Sequence, residues 1–84
     1  MLMKIITIPE IIEKYTPVID GRKNYSALAR QLDCDRQLIH RWRKEIGRPH
    51  RYTMLAWLAS ENKYRRAIAN EILWIFDDDN GMKN

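Results

Sequence analysis

Residues 25–44, YSALARQLDCDRQLIHRWRK, decide how the chain is read. Two helical patterns stand on either side of a short polar interruption. The first begins after Asn24 and runs to about Leu32, with Leu28, Ala29 and Leu32 turned inward at helical spacing. Asp33-Cys34-Asp35 interrupts it, and Asp35 is a good N-cap for the next helix. That helix is expected from about Arg36 to Glu45, with Leu38, Ile39 and Trp42 on its core side and Gly47 as its stop, confirmed by Pro49. Ala29 is the small residue where the two helices would cross, and a reduced Cys34 fits the turn as a small hydrophobe. At about 100° per residue, Arg36, Gln37, His40, Arg41 and Lys44 then point away from Ile39 and Trp42.

Helical spacing continues on both sides. Pro9 suits the first turn of a helix that carries Ile8, Ile12 and Tyr15 on one side, and Pro17 stops it. Lys4 to Ile8 could be a short extended arm with no second strand pattern to pair with, and Val18 to Lys23 reads as a loop with Asp20-Gly21 as its turn signal. A fourth helix is expected from about Arg51 to Ser60, with Leu55, Leu58 and Ala59 inward. A fifth is expected from about Lys63 to Phe76, with Tyr64, Ile68, Ile72, Ile75 and Phe76 on one stripe. Asp77-Asp78-Asp79 sits at the terminus disfavoured by the helix dipole, so the helix is expected to end there and leave a frayed acidic tail, 77–84. The fold class is therefore all-α: a single domain over residues 1–84, a compact bundle of about five short helices with an N-terminal arm, 1–8.

The 84 residues are 45% hydrophobic and 31% charged, enough for a core and unlike a disordered tail. One cysteine excludes an intramolecular disulfide, and with two histidines it cannot supply four protein ligands to zinc. No apolar run reaches the roughly 20 residues needed to cross a bilayer, and Met1 to Ile8 is not expected to be a signal peptide. A cytoplasmic location (bacterial host cell or nucleoid) is expected, with neither metal nor cofactor. The net charge of +4 is concentrated: residues 21–66 hold twelve basic side chains against four acidic ones. Such a centre suits a polyanion, whose condensed counterions are released on neutralisation, although charge alone fits a solubilising surface equally well.

The 25–44 stretch resembles a helix-turn-helix, with Ala29 at the crossing, Asp33-Cys34-Asp35 as the turn, and Ile39 and Trp42 tying the second helix to the first. The family pattern prefers glycine at the first turn position, where φ is positive. Asp33 stands there, a residue that tolerates this geometry better than most. Trp42, Gly47, Pro49 and Thr53-Met54-Leu55-Ala56-Trp57-Leu58-Ala59 look like the continuation in λ-repressor-like regulators of the Cro type. His40-Arg41-Trp42-Arg43-Lys44 with Arg51-Tyr52-Thr53-Met54-Leu55 also looks like small phage activators of the λ CII type. The likeness covers residues 24–60. It implies a phage- or prophage-encoded transcriptional regulator that binds double-stranded DNA sequence-specifically, with the helix at 36–45 in the major groove.

On that reading Arg36, Gln37, His40 and Arg41 face base edges, since residues near the start of such a helix reach deepest and arginine and glutamine fork onto guanine and adenine. Arg43, Lys44, Arg48 and Arg51 suit phosphates, as do Tyr25 and Ser26 at the start of the second helix. Trp57 and Trp74 leave the main stripes of their helices and are expected in a subunit interface, where aromatics are enriched, giving a homodimer or higher oligomer. RNA polymerase is a further expected contact. Two other functions fit the same fold: an accessory DNA-binding protein, excisionase-like or for packaging recognition, and a protein-binding antirepressor or polymerase inhibitor. An enzyme is not expected, because the sequence offers neither an acid–base pair nor a phosphate-cradling glycine loop.

Overall fold

The computed structural model describes the backbone of residues 6–82 and the side chains of residues 6–76. Among the described residues the chain forms five helices and one small hairpin: α1 (Ile8–Tyr15), β1 (Val18–Ile19), β2 (Arg22–Lys23), α2 (Tyr25–Leu32), α3 (Arg36–Arg43), α4 (Arg51–Leu58) and α5 (Lys63–Met82). This is a small all-α bundle. The expected N-terminal arm is shorter than predicted, since Thr7 already caps α1 and Ile8 opens it; residues 1–5 lie outside the described residues.

Local chemistry sets most of the boundaries. Thr7 Oγ1 accepts from the Glu10 amide at 3.3 Å and donates to the Glu10 carboxylate at 3.1 Å, a reciprocal cap three residues apart. At the other end of α1 the buried Thr16 hydroxyl donates to the Ile12 carbonyl at 2.6 Å, just before Pro17. The stretch expected as a loop is instead a hairpin, with Val18 opposite Lys23 and Ile19 opposite Arg22. Asp20 and Gly21 have φ of 53° and 77°, the two positive values that a two-residue hairpin turn requires. Two-residue strands are too short to show a period of two, so the sequence pattern missed them.

Asn24 Oδ1 accepts from the Ala27 amide at 2.8 Å and starts α2, and Asp35 Oδ1 accepts from the Gln37 amide at 2.9 Å and starts α3. Between them Asp33 takes φ 52°, as expected of the first turn residue. The Asp33 amide donates to Arg30 O and the Cys34 amide to Ala29 O, which closes the end of α2. The same closure recurs one helix later at an unexpected residue. Glu45, with φ 56°, ends α3 in place of Gly47, as its amide donates to Trp42 O and that of Ile46 to Arg41 O. Helix α3 therefore stops at Arg43, two residues before the expected end.

The core comprises Ile11, Ile12, Leu28, Leu32, Ile39, Met54, Ile68 and Ile72, all without solvent exposure, with Trp42 and Trp57 beside them. Their rings stand 5.7 Å apart at 58°. Here the structure corrects the reading of α4: Met54 and Trp57 face the core, while Leu55 and Leu58 are exposed and Ala59 lies at the surface. The helix is apolar on both sides, so periodicity alone could not orient it. Helix α5 packs extensively along α4 and also meets α1. It buries Ile68, Ala69, Ile72 and Leu73, with Ile75 and Phe76 half-buried; Tyr64, expected on this stripe, is exposed. Its backbone continues through the aspartates to Met82, past the expected end near Phe76; the acidic side chains lie outside the described residues.

Candidate functional site

Helix α3 packs against α1 and α2 through Ile39 and Trp42. The opposite face is open. Arg36, Gln37, Arg41 and Lys44 are exposed, and His40 is half-buried between them. Arg36 Nη1 donates to Ser26 Oγ at 3.3 Å, which ties the start of α3 to the first turn of α2. The Arg41 guanidinium lies over Gly47, where a β-carbon would stand 3.4 Å from Nη2. The ion pairs found among the described residues, Lys14–Glu71 at 3.1 Å and Arg43–Glu13 at 3.2 Å, leave Arg36, Arg41 and Lys44 out.

Arg43 and Tyr25, expected at phosphates, are engaged within the molecule. Arg43 Nε donates to Glu13 Oε1, its guanidinium carbon sits 3.7 Å from the Tyr25 ring centroid, and its Nη1 is 3.4 Å from His40 Nδ1. The Tyr25 hydroxyl donates to the same Glu13 oxygen at 2.6 Å. That hydrogen bond, together with burial, pushes the phenol above its ordinary pKa. The Tyr25 ring also meets the His40 ring at 6.1 Å. One carboxylate on α1 thus holds a side chain from α2 and one from α3. Glu13 gave no signal in the sequence, because it lies 30 residues from Arg43 and no helical or strand spacing links them.

Arg48 and Arg51, in the loop after α3 and at the start of α4, are exposed, with guanidinium carbons 5.3 Å and 5.9 Å from the Phe76 ring. Arg65 is a structural residue the sequence did not reveal. It donates to Leu32 O at 2.6 Å and Asp33 O at 2.7 Å, closing the carbonyl end of α2, where a cation complements the helix dipole. Asn62 supports the same corner by donating to Gln31 O at 2.7 Å.

The two tryptophans expected together at an interface part company. Trp57 is 6% exposed and belongs to the core, whereas Trp74 is 65% exposed on the far side of α5. The half-buried Cys34 thiol lies in the α2–α3 turn, and burial pushes its pKa up. Among the described residues no group of three histidine, cysteine or acidic side chains is placed to hold a metal, and no helix is long and apolar enough to cross a membrane. An open cleft of about 350 Å³ between α1 and the loop after α3 is floored by Ile6, Ile8, Trp42 and Ile75; Glu45 and Arg48 are among its charged lining. No family model, curated protein or solved structure matches the chain.

Proposed function

We propose that the chain is a sequence-specific double-stranded DNA-binding regulator of transcription that places α3 in the major groove. The observation that carries this reading is the open face of α3, where Arg36, Gln37 and Arg41 stand exposed beside His40, opposite the buried Ile39 and Trp42. Arginine and glutamine match guanine and adenine edges, and a helix face free of the core can enter the groove. The resemblance of residues 24–60 to λ-repressor-like regulators supports the same reading, as does a three-residue turn whose first residue has positive φ. Lys44, Arg48, Arg51 and Ser26 flank this face and are assigned to phosphates.

The regulator acts as a dimer reading two half-sites. Trp74 is the residue assigned to the subunit contact, whereas Trp57 is buried in the core. Leu55 and Leu58 on α4 are further exposed apolar side chains available to a second copy. No charged residue lies between Tyr52 and Ser60, so two copies of a +4 chain meet there without opposing like charges.

Selection from a pool of random duplexes, followed by a salt titration, tests the reading. A discrete site is expected, with log affinity falling against log salt at a slope of about −5 when Lys44, Arg48 and Arg51 of both copies neutralise phosphates. Equal binding to every duplex would point to an accessory DNA-binding role. No binding at low salt would leave a protein partner as the remaining reading.

A further inference from the structure

We propose that His40 reads an acceptor on a base edge through its Nε2–H, with Arg43 as the positioning residue that fixes this proton. The inference rests on the placement of α3 in the groove proposed above, and it deepens that reading by assigning a hydrogen-bond polarity to one position.

A guanidinium has only N–H groups to offer and does not deprotonate in proteins. Arg43 Nη1 stands 3.4 Å from His40 Nδ1. Two donors cannot face one another, so Nδ1 presents its lone pair and the neutral ring carries its proton on Nε2.

Arg43 is itself held by two groups, and these are bonded to each other. Its Nε is on Glu13 Oε1 at 3.2 Å, its guanidinium carbon lies 3.7 Å from the Tyr25 ring centroid, and the Tyr25 hydroxyl secures that same carboxylate oxygen. The His40 ring meets Tyr25 at an angle of 52°. Arg43 therefore occupies Nδ1 of the imidazole, and the hydrogen bond found for this ring among the described residues is the one at Nδ1, not at Nε2.

A fixed donor is selective. In the major groove, guanine offers two acceptors, O6 and N7, adenine offers N7 and thymine offers O4, whereas cytosine presents its N4 amino donor. His40 therefore favours guanine and rejects cytosine at the base it faces. One neutral hydrogen bond made or lost corresponds to a preference of about three- to tenfold.

The first test needs no variant and no DNA. Ring-¹⁵N spectra of the wild-type chain at a pH of about 8, above the ordinary histidine range, report the tautomer of each imidazole. His40 is expected almost wholly as Nε2–H, and more so than the exposed His50, assigned with His50→Gln. Arg43→Met is expected to bring His40 to the His50 ratio, with unchanged amide spectra elsewhere showing that the fold survives. A proton on Nδ1 of His40 in the wild type overturns the proposal whatever the variants do.

The second test is duplex selection with His40→Glu, which replaces the donor with an acceptor. Selection is expected to switch from guanine to cytosine at one position and to remain as before at its neighbours. Unchanged selection at every position overturns the role of His40 while leaving α3 as the reading helix. Failure of the wild type to bind any duplex, with the tautomer as predicted, overturns the proposed function and the base-reading role together.

Discussion

Replacing Trp57 with alanine separates the core reading of this residue from the interface reading that sequence spacing suggests. A tryptophan of this burial removes about 150–250 Å² from water, which at about 25 cal/mol per Å² corresponds to roughly 4–6 kcal/mol before the alanine's own share is deducted. Truncations of this kind in cores cost about 3–5 kcal/mol. That range already contains the tilted contact with Trp42 at 5.7 Å and the Arg65 guanidinium 5.0 Å from the ring. A domain of this size has a total stability of about 4–12 kcal/mol, and each lost kcal/mol lowers its melting temperature by about 4–8 °C. Trp57→Ala should therefore melt at least some 12 °C below the wild type, or fail to fold at growth temperature, while Trp57→Phe should recover most of the loss. Thermal and urea unfolding followed by circular dichroism read the effect, and sedimentation velocity reads the mass alongside it. A loss below about 1 kcal/mol combined with a fall in oligomer mass would refute the packing argument and return Trp57 to the surface.

Trp74→Ala should do the reverse, lowering the sedimenting mass toward the monomer with little change in unfolding; an unchanged mass removes Trp74 from the subunit contact. Arg41→Ala should relax base preference at one position of each half-site and cost about 1–3 kcal/mol per half-site, whereas Arg48→Ala should weaken all sequences alike and reduce the salt slope of the dimer by about two. If both substitutions leave binding unchanged, α3 is not the reading helix. Burial, the hydrogen bond to Glu71 and the Glu71 charge push the Tyr15 phenol from 10.0 up to about 12. Its neutral form is favoured by folding, so its contribution is whole below pH 10 and is lost as pH rises toward 12. The urea midpoint should fall across that window, and less steeply in Tyr15→Phe; identical slopes would remove Tyr15 from the account. The Cys34 thiol, held protonated by burial, should alkylate more slowly in the native chain than in urea at the same pH, and equal rates would contradict its half-buried placement.

The parts of the fold that were legible in the sequence are those decided within a few residues. Asn24 and Asp35 announce their helices because a short acceptor side chain reaches an amide two or three residues on. Asp33 takes positive φ because no better-suited residue lies in that turn, and α3 exposes the face its periodicity assigns. What the sequence concealed depends on distant partners. The Met54/Trp57 side of α4 wins over the Leu55/Leu58 side through its packing on α5 and Trp42, and both sides are apolar. Gly47 offers the more familiar stop signal after α3, yet the positive-φ closure falls two residues earlier, at Glu45. The links Glu13–Arg43 and Arg65–Leu32 each span about thirty residues and have no periodic signature.

The distribution of cations bears most directly on whether the basic centre is a solubilising surface or a polyanion surface. Several of its charges have structural work inside the fold. Arg43 is on Glu13, Lys23 Nζ donates to Glu13 O at 2.6 Å, Arg65 closes α2, and Arg66 Nη1 donates to Ser60 O at 2.9 Å. The acids nearest the site are committed as well, with Glu13 shared by Tyr25 and Arg43 and the Asp35 side chain capping the helix it precedes. Arg36, Arg41 and Lys44 remain on one face of a two-turn helix, with Asp35 and Glu45 only at its ends. A surface serving solubility intersperses both signs, because a single-sign ridge raises the local potential without adding stability. Here Glu13 is taken up by Arg43, and the outer flank of α3 carries Arg36, Arg41 and Lys44 with no acid among them; that asymmetry, more than the net +4, is what a phosphate backbone would complement.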